Sequence, residues 1–120
     1  MSNNKKITFI KKREWWHLRK YYKSGHGALI VVESGPNQGD VYYFLNITKH
    51  PPNGYSYFET EKPINISNEK SFIRLYLQKG KKKSFSKWLL KYELTENDLD
   101  KVARYLEEKS GFNRLFGLNA

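Results

Sequence analysis

A hydroxyl, an ammonium and an imidazole occur in three consecutive residues of this chain, Thr48, Lys49 and His50. A hydroxyl can donate a hydrogen bond, an ammonium can neutralise an anion, and imidazole changes its protonation near neutral pH. Together such groups can move a proton and stabilise a developing negative charge. The alternative interpretation is that they are solvated polar residues at the end of a strand.

Arg74 is a second candidate for anion chemistry. Its planar guanidinium could contact two oxygens of one phosphate at once. A cross-strand ion pair with Glu59 or Glu61 is the alternative interpretation. His26, in the turn SGHG, is a further candidate for acid or base chemistry, or is simply held in that turn.

The polar triplet follows a long apolar segment. Residues 41–47 are β-branched, aromatic or aliphatic at nearly every position, which favours a strand buried on both faces. Pro51 and Pro52 prevent that strand from continuing. Residues 28–33 (ALIVVE) form a second such segment, and the turn-forming residues 34–40 predict an antiparallel hairpin at the centre of a sheet. The strand therefore delivers the triplet to a fixed edge.

Two further segments have strand patterns. Residues 55–60 alternate enough to predict a third strand, and residues 71–77 alternate cleanly. In the second segment one face carries Phe72, Arg74 and Tyr76, and the other carries Ile73, Leu75 and Leu77. We expect the aliphatic face to point inward, which displays Arg74 between two aromatic rings.

Helical spacing occurs twice. Residues 14–23 place Trp15, Leu18 and Tyr22 on one side of a short amphipathic helix. Thr95 is the predicted N-cap of a second helix, because acidic residues follow it in the first turn and apolar residues then recur at helical spacing.

The remaining segments are assigned from their composition. Residues 1–6 are polar and expected to be flexible, residues 7–10 predict a short strand, and residues 79–84 predict a basic loop. Residues 85–92 fit a strand and a short helix equally well. We expect one domain over all 120 residues. It should be mainly β with α, an α+β class, with short antiparallel strands bent into a small barrel and a C-terminal helix.

The net charge of +10 is concentrated in two segments, residues 1–25 and 79–91. Clustered cations favour a polyanionic partner because binding releases counterions, and aromatic rings beside them can stack on bases. Single-stranded RNA is the expected partner. The aromatic candidate, Trp16, is either a stacking ring or part of the core. The candidate nucleic-acid-binding residues are Lys11, Lys12, Arg13, Trp16, Arg19, Lys20, Lys23, Lys81, Lys82 and Lys83.

The composition excludes several classes of site. Without cysteine the chain has no disulfide, thiol nucleophile or thiolate metal site. Its three histidines lack the spacing of a metal motif, so we expect neither a metal nor another cofactor. No apolar segment approaches the roughly 20 residues that cross a bilayer, and residues 1–20 lack the apolar stretch of a signal peptide. We therefore expect no membrane contact and a cytoplasmic location.

The order of these segments resembles that of the PemK/MazF toxin superfamily, including its ToxN-like branch. The resemblance rests on ALIVVE, VYYFLNITKH, SFIRL and YELTENDLDKVARYL, and extends over residues 28–106. In that family a strand ends in an "IT" or "LTS" element, an S-x-x-R segment follows, and an L-s-x-x-D-l-x-x-v segment opens the last helix. This chain departs from the pattern at Tyr76, where many members have an acidic residue, and at His26-Gly27, where many have "RP".

Membership implies an SH3-like barrel, RNA cleavage without a metal, and often a homodimer. Thr48 matches the threonine of the "IT" element, Lys49 and His50 follow it, and Arg74 matches the arginine of S-x-x-R. The resemblance therefore implies a metal-independent endoribonuclease of a toxin–antitoxin system with an RNA or protein antitoxin as partner. Its implied catalytic residues are Thr48, Lys49, His50 and Arg74.

Two other functions fit the same residues. A non-catalytic nucleic-acid-binding protein would use the cations and aromatic rings without a general base. An interaction module would use the cations to recognise an acidic protein partner.

Overall fold

The structure, a computed structural model, describes residues 16–34, 39–64 and 68–108. Within these ranges the chain is mostly antiparallel sheet followed by one helix, which confirms the α+β class. The elements in chain order are β1 (His17–Lys20), β2 (Gly27–Glu33), β3 (Val41–Thr48), β4 (Tyr57–Glu59), β5 (Phe72–Arg74), β6 (Gln78–Lys81), a 3₁₀ turn (Lys82–Ser84) and α1 (Glu96–Glu108). The predicted flexible residues 1–6 and the predicted strand at residues 7–10 lie outside the described residues.

The predicted central hairpin is confirmed. Strands β2 and β3 pair in antiparallel fashion from Gly27 opposite Ile47 to Glu33 opposite Tyr42, with a bulge between Ile30 and Val32. Their apolar residues are buried on both faces, as a central pair of strands requires. The predicted third strand is also confirmed, although β4 is shorter than residues 55–60.

The second edge of β3 is shared by two short strands. Phe44 lies opposite Gln78 of β6, and Ile47 lies opposite Ile73 of β5. Between these two pairs β3 advances by three residues, from Phe44 to Ile47, whereas the opposite side advances by five, from Ile73 to Gln78. Two extra residues therefore interrupt what would otherwise be one strand. Residues 74–77 form this bulge. An interruption of this kind locally disrupts pairing and redirects side chains.

Each face of the sheet buries its own cluster. The main core lies on the face against α1 and contains Leu18, Leu29, Val31, Val32, Leu45, Ile47, Ile64, Ile73, Val102 and Leu106. The opposite face carries a smaller cluster of Ala28, Ile30, Tyr42, Phe44 and Phe85, with Tyr21 packed against it. Tyr21 and Phe85 stack with their ring centroids 4.6 Å apart.

The helix α1 begins as predicted. The backbone N–H of Asp98 donates to Thr95 Oγ1 at 3.3 Å, which is the N-cap interaction. The buried Asp98 carboxylate in turn accepts from the backbone N–H of Glu61 at 2.9 Å, and Asn97 Nδ2 donates to the Glu61 carboxylate at 3.0 Å. Hydrogen bonds from Thr95 and then Asn97 hold the pKa of Glu61 below its ordinary value. The start of α1 is thereby fastened to the chain after β4.

The predicted helix at residues 14–23 is wrong over its described part. His17–Lys20 is strand β1, with His17 opposite Ile30 and Lys20 opposite Gly27. The helical spacing of apolar residues is a local signal, and pairing with the central hairpin outweighs it. Aromatic side chains also fit a half-buried sheet edge well.

Three predictions near the C-terminal half also need correction. The strand at residues 71–77 stops at Arg74, and both Phe72 and Ile73 are buried, so its aliphatic face is not the only inward one. The basic loop at residues 79–84 instead contains most of β6 and the 3₁₀ turn. Residues 85–92 form neither a regular strand nor a helix, although Phe85 makes an isolated bridge to Tyr21.

Candidate nucleic-acid interface

The irregular segment after the 3₁₀ turn follows the outer edge of β1. The backbone N–H of Tyr22 donates to the Ser84 carbonyl at 2.8 Å, and that of Ser86 donates to the Lys20 carbonyl at 2.9 Å. Further along, the Leu90 N–H donates to the Leu18 carbonyl at 2.8 Å. These bonds bring the two basic segments of the sequence side by side.

A groove of about 560 Å³ opens between these two segments. Four cations and four aromatic rings contribute to its lining, and two of the rings project into solvent: Trp88 is 82% exposed and Tyr22 is 59% exposed. We call this surface the basic groove. Its lining residues are Arg19, Tyr22, Tyr42, Lys82, Lys83, Phe85, Ser86, Lys87 and Trp88.

Arg19 forms part of the framework of the basic groove. Its Nη1 donates to the backbone carbonyls of Ser86 at 2.7 Å and Lys87 at 3.0 Å, and its guanidinium lies 5.5 Å from the centre of the Tyr42 ring. The side chain thus links β1 to the following segment while placing a positive charge in the groove.

Lys82, one of the predicted binding residues, forms two ion pairs. Its Nζ lies 2.8 Å from a Glu33 carboxylate oxygen and 3.3 Å from one of Asp40. The hydrogen bond to Glu33 is the largest cause that raises the pKa of Lys82. Two carboxylates therefore balance its charge, and these contacts join the β2–β3 connection to the 3₁₀ turn.

Lys83 and Lys87 are the available cations. Both are exposed, and no carboxylate among the described residues pairs with either. Lys87, Trp88 and Tyr22 were missed at the sequence level. The adjacent lysine and tryptophan in SFSKW are a signal for a basic aromatic surface, but the exposure of Trp88 depends on how residues 85–92 fold.

The other predicted binding residues are dispersed. Lys20, Lys23 and Lys81 are exposed, on β1, in the following turn and at the end of β6. Trp16 is half-buried and packs against the main core. The predicted binders outside the described residues are Lys11, Lys12 and Arg13.

At the end of β3 the predicted catalytic triplet is partly engaged in local contacts. Thr48 Oγ1 donates to the backbone carbonyl of His50 at 2.6 Å, which stabilises the turn leaving the strand. Lys49 Nζ lies 3.5 Å from a carboxylate oxygen of Glu69 in an exposed ion pair. His50 is exposed.

Strand pairing brings further candidates to the same end of the sheet. Thr48 lies opposite Phe72 of β5, so Arg74, two residues along, shares the face that carries Thr48. On the other side Gly27 lies opposite Ile47, which places the exposed His26 beside the end of β3. The sheet register therefore gathers His26, Thr48 and Arg74, although 22 residues separate His26 from Thr48 and 26 separate Thr48 from Arg74.

Arg74 contacts aromatic rings. Its guanidinium lies 4.3 Å from the centre of the Tyr55 ring and 5.5 Å from that of Tyr76. Within the described part of the chain it forms no ion pair, so neither Glu59 nor Glu61 is the partner that the alternative interpretation supposed. Its Nε is buried without a hydrogen-bond acceptor.

Metal-ligand clusters and membrane-spanning helices are both absent from the residues that the structure describes. No group of three histidine, aspartate or glutamate side chains there could hold a metal ion, and no helix there is both long and apolar enough to cross a bilayer.

Compared with protein families, with curated proteins and with solved structures, the chain shows no match.

Proposed function

We propose that this protein binds single-stranded RNA through the basic groove. The observation that carries the proposal is the combination of two exposed lysines, Lys83 and Lys87, which pair with no described carboxylate, and the solvent-facing rings of Trp88 and Tyr22. Lysines attract phosphates through counterion release, and aromatic rings stack on bases regardless of their identity. A groove that offers both kinds of contact suits a sugar-phosphate chain with accessible bases.

Single strands are favoured over a duplex for a geometric reason. Rings as exposed as Trp88 and Tyr22 can stack only on bases that are not already stacked within a helix. A duplex would engage the lysines alone.

The charge contribution can be tested with a matched pair of double variants. Lys83→Gln/Lys87→Gln removes two groove charges, and Lys70→Gln/Arg104→Gln removes two exposed charges elsewhere. Because each phosphate contact on a single strand contributes about −0.7 to the slope of log K against log salt, the groove variant should flatten that slope by about 1.4. The control variant should leave it nearly unchanged. Fluorescence anisotropy of a labelled mixed-sequence RNA at several salt concentrations measures both; equal slopes for the two variants would contradict the groove assignment.

We also propose a narrower activity, metal-independent endoribonuclease action of the PemK/MazF type, as a toxin in a toxin–antitoxin system. Its support is the shared end of the sheet where His26, Thr48 and Arg74 lie, because RNA cleavage without a metal needs a proton acceptor, a proton donor and a cation beside the phosphate. His50 is the second histidine at that end. Lys49 contributes charge less directly, because it pairs with Glu69.

An SH3-like barrel belongs to the same proposal. The backbone bonds from residues 84–90 to β1 support it, since they extend pairing beyond the β1 edge of the sheet. The 3₁₀ turn between β6 and this segment supports it as well, because it carries the chain from the β3 side of the sheet to the β1 side.

A further inference from the structure

Three exposed tyrosines surround Arg74 at the opposite end of β3 from the basic groove. Tyr55, Tyr57 and Tyr76 are 42%, 44% and 48% exposed, whereas isolated exposed rings elsewhere would need no explanation. Tyr57 lies directly opposite Arg74 across β4 and β5, and the centroids of Tyr55 and Tyr76 are 5.3 Å apart. The rings therefore form one cluster.

The cluster is held in place by the bulge at residues 74–77. The backbone N–H of Leu75 donates to the Ser56 carbonyl at 2.8 Å, and that of Tyr76 donates to the Arg74 carbonyl at 2.9 Å. The Leu77 N–H donates to the hydroxyl oxygen of Tyr105 on α1 at 3.0 Å. These bonds fix the two extra residues that interrupt the β5–β6 strand, so the bulge presents the Tyr76 ring at the surface in a defined position.

Arg74 is oriented by an aromatic ring and has one buried donor without an acceptor. The contact with the Tyr55 ring positions the guanidinium, and no described residue accepts a hydrogen bond from its buried Nε. On the same face of the neighbouring strand, Oδ1 of the buried Asn46 also lacks a partner. Buried polar atoms without partners are costly, and each one needs an explanation, such as a bound group that completes the hydrogen bonding.

We infer that Tyr55, Arg74 and Tyr76 form a nucleotide site in which the guanidinium takes a phosphate and the tyrosines stack on the adjoining base. Arginine binds phosphate with two parallel hydrogen bonds, and tyrosine rings with open faces stack on unpaired bases. A purine should bind more tightly than a pyrimidine because its larger ring system covers more of the two tyrosines. The inference rests on the RNA binding proposed above and gives it a second point of contact.

The two contact points are well separated. Tyr42 lines the basic groove and Thr48 lies beside β5, and the six residue steps between them on β3 correspond to about 20 Å in a strand. An RNA chain that reached both would have its backbone held in the groove and one base held at the tyrosines.

The site can be tested with small probes that divide a nucleotide into its parts. AMP carries a base and a phosphate, ribose 5-phosphate lacks the base, and adenosine lacks the phosphate. Amide chemical-shift titrations of the labelled protein should give AMP the highest affinity. Ribose 5-phosphate should bind about tenfold more weakly, the effect expected for loss of one stacked base, and adenosine should bind more weakly because it lacks the phosphate that Arg74 contacts. CMP should bind more weakly than AMP.

Matched variants then locate the probe. Tyr55→Leu and Tyr76→Leu should abolish the preference for AMP over ribose 5-phosphate, and Arg74→Gln should abolish the preference for AMP over adenosine. Tyr22→Leu, in the basic groove, should change neither. Equal binding of AMP and ribose 5-phosphate by the unaltered protein would reduce the site to a phosphate contact and overturn the inference.

Failure of the nucleotide site and failure of the proposed RNA binding would give different results. If Lys83→Gln/Lys87→Gln abolishes AMP binding, AMP occupies the basic groove, and the inference fails while RNA binding stands. If the unaltered protein binds AMP at the tyrosines but no RNA at any salt concentration, the proposed function fails instead. Absence of AMP binding altogether also overturns the inference.

Discussion

Individual lysines next to one another in the sequence have different environments here. Lys82 is neutralised by Glu33 and Asp40, while Lys83, the next residue, has no described carboxylate partner. A run of identical charges therefore does not act as one unit, and the anion-binding capacity of KKK depends on which ammonium remains without a counter-ion. Substitution of single residues can also separate catalysis from binding.

Replacement of Arg74 by alanine tests the proposed cleavage. If the guanidinium stabilises the charge that develops on the phosphate, Arg74→Ala should lower the cleavage rate by a factor on the order of 10²–10³, the range seen when one preorganised donor is removed. Arg74→Lys should restore little, because an ammonium lacks the planar two-pronged geometry. The assay is single-turnover cleavage of mixed-sequence RNA in EDTA, scored as fragments ending in 2′,3′-cyclic phosphate.

A structural control accompanies this assay. Arg74 is half-buried, so the variant should be compared with the unaltered protein by urea denaturation before rates are interpreted. A folded Arg74→Ala protein that cleaves at the unaltered rate would show that Arg74 is not a catalytic residue.

At the scale of elements, β6 depends on the absence of a side chain at Gly80. A Cβ there would lie 3.2 Å from the ring carbons of Phe85 and Tyr21, inside the aromatic cluster. Gly80→Ala should therefore destabilise the protein by about 1–3 kcal/mol through overpacking. Gly27→Ala is the matched control, since its Cβ would lie 3.7 Å from Ile47 in ordinary contact. Urea denaturation compares the two, and equal losses of stability would contradict the packing argument.

The helix α1 should depend on its N-cap. Thr95→Ala removes the oxygen that accepts from the Asp98 N–H, and should cost about 1 kcal/mol of unfolding free energy. The same substitution removes the side-chain hydrogen bond from Thr95 to Glu61, which is the largest cause of the lowered pKa of Glu61. A carboxylate whose pKa is lowered in the folded state stabilises the protein at pH values above its unfolded pKa of 4.5. This stabilisation is lost as the pH falls through the pKa of the folded state.

The stability gap between the unaltered protein and Thr95→Ala should therefore narrow as pH falls below about 4.5. Thermal denaturation across this pH range measures the gap. Asn97→Ala is the control, because it removes one Glu61 hydrogen bond while keeping the cap. A gap that widened toward acid would exclude the Glu61 contribution.

At the scale of the whole molecule, β3 organises both proposed contact regions. Its first half pairs with β6 and leads to the basic groove, and its second half pairs with β5 and leads to the tyrosine cluster. The main core and α1 occupy the other face of the sheet. The described part of the chain thus separates the packing surface from the surfaces proposed to meet RNA.

The features that depend on local pattern could be predicted from the sequence. The hairpin of β2 and β3 follows from two apolar segments joined by turn-forming residues, and the start of α1 follows from Thr95 and the acidic residues after it. Net charge and its concentration in two segments are likewise properties of composition. Each of these signals lies within one continuous stretch of at most 25 residues.

The features that depend on pairing between distant segments could not be predicted from the sequence. β1 is a strand because its backbone bonds to β2 on one side and to residues 84–90 on the other, which outweighs its helical spacing. The bulge that presents Tyr76 arises from a mismatch of two residues against β3. Whether a lysine is neutralised or a tryptophan is exposed follows from such contacts. The residues that make these contacts lie tens of positions apart in the sequence, so a local pattern cannot predict them.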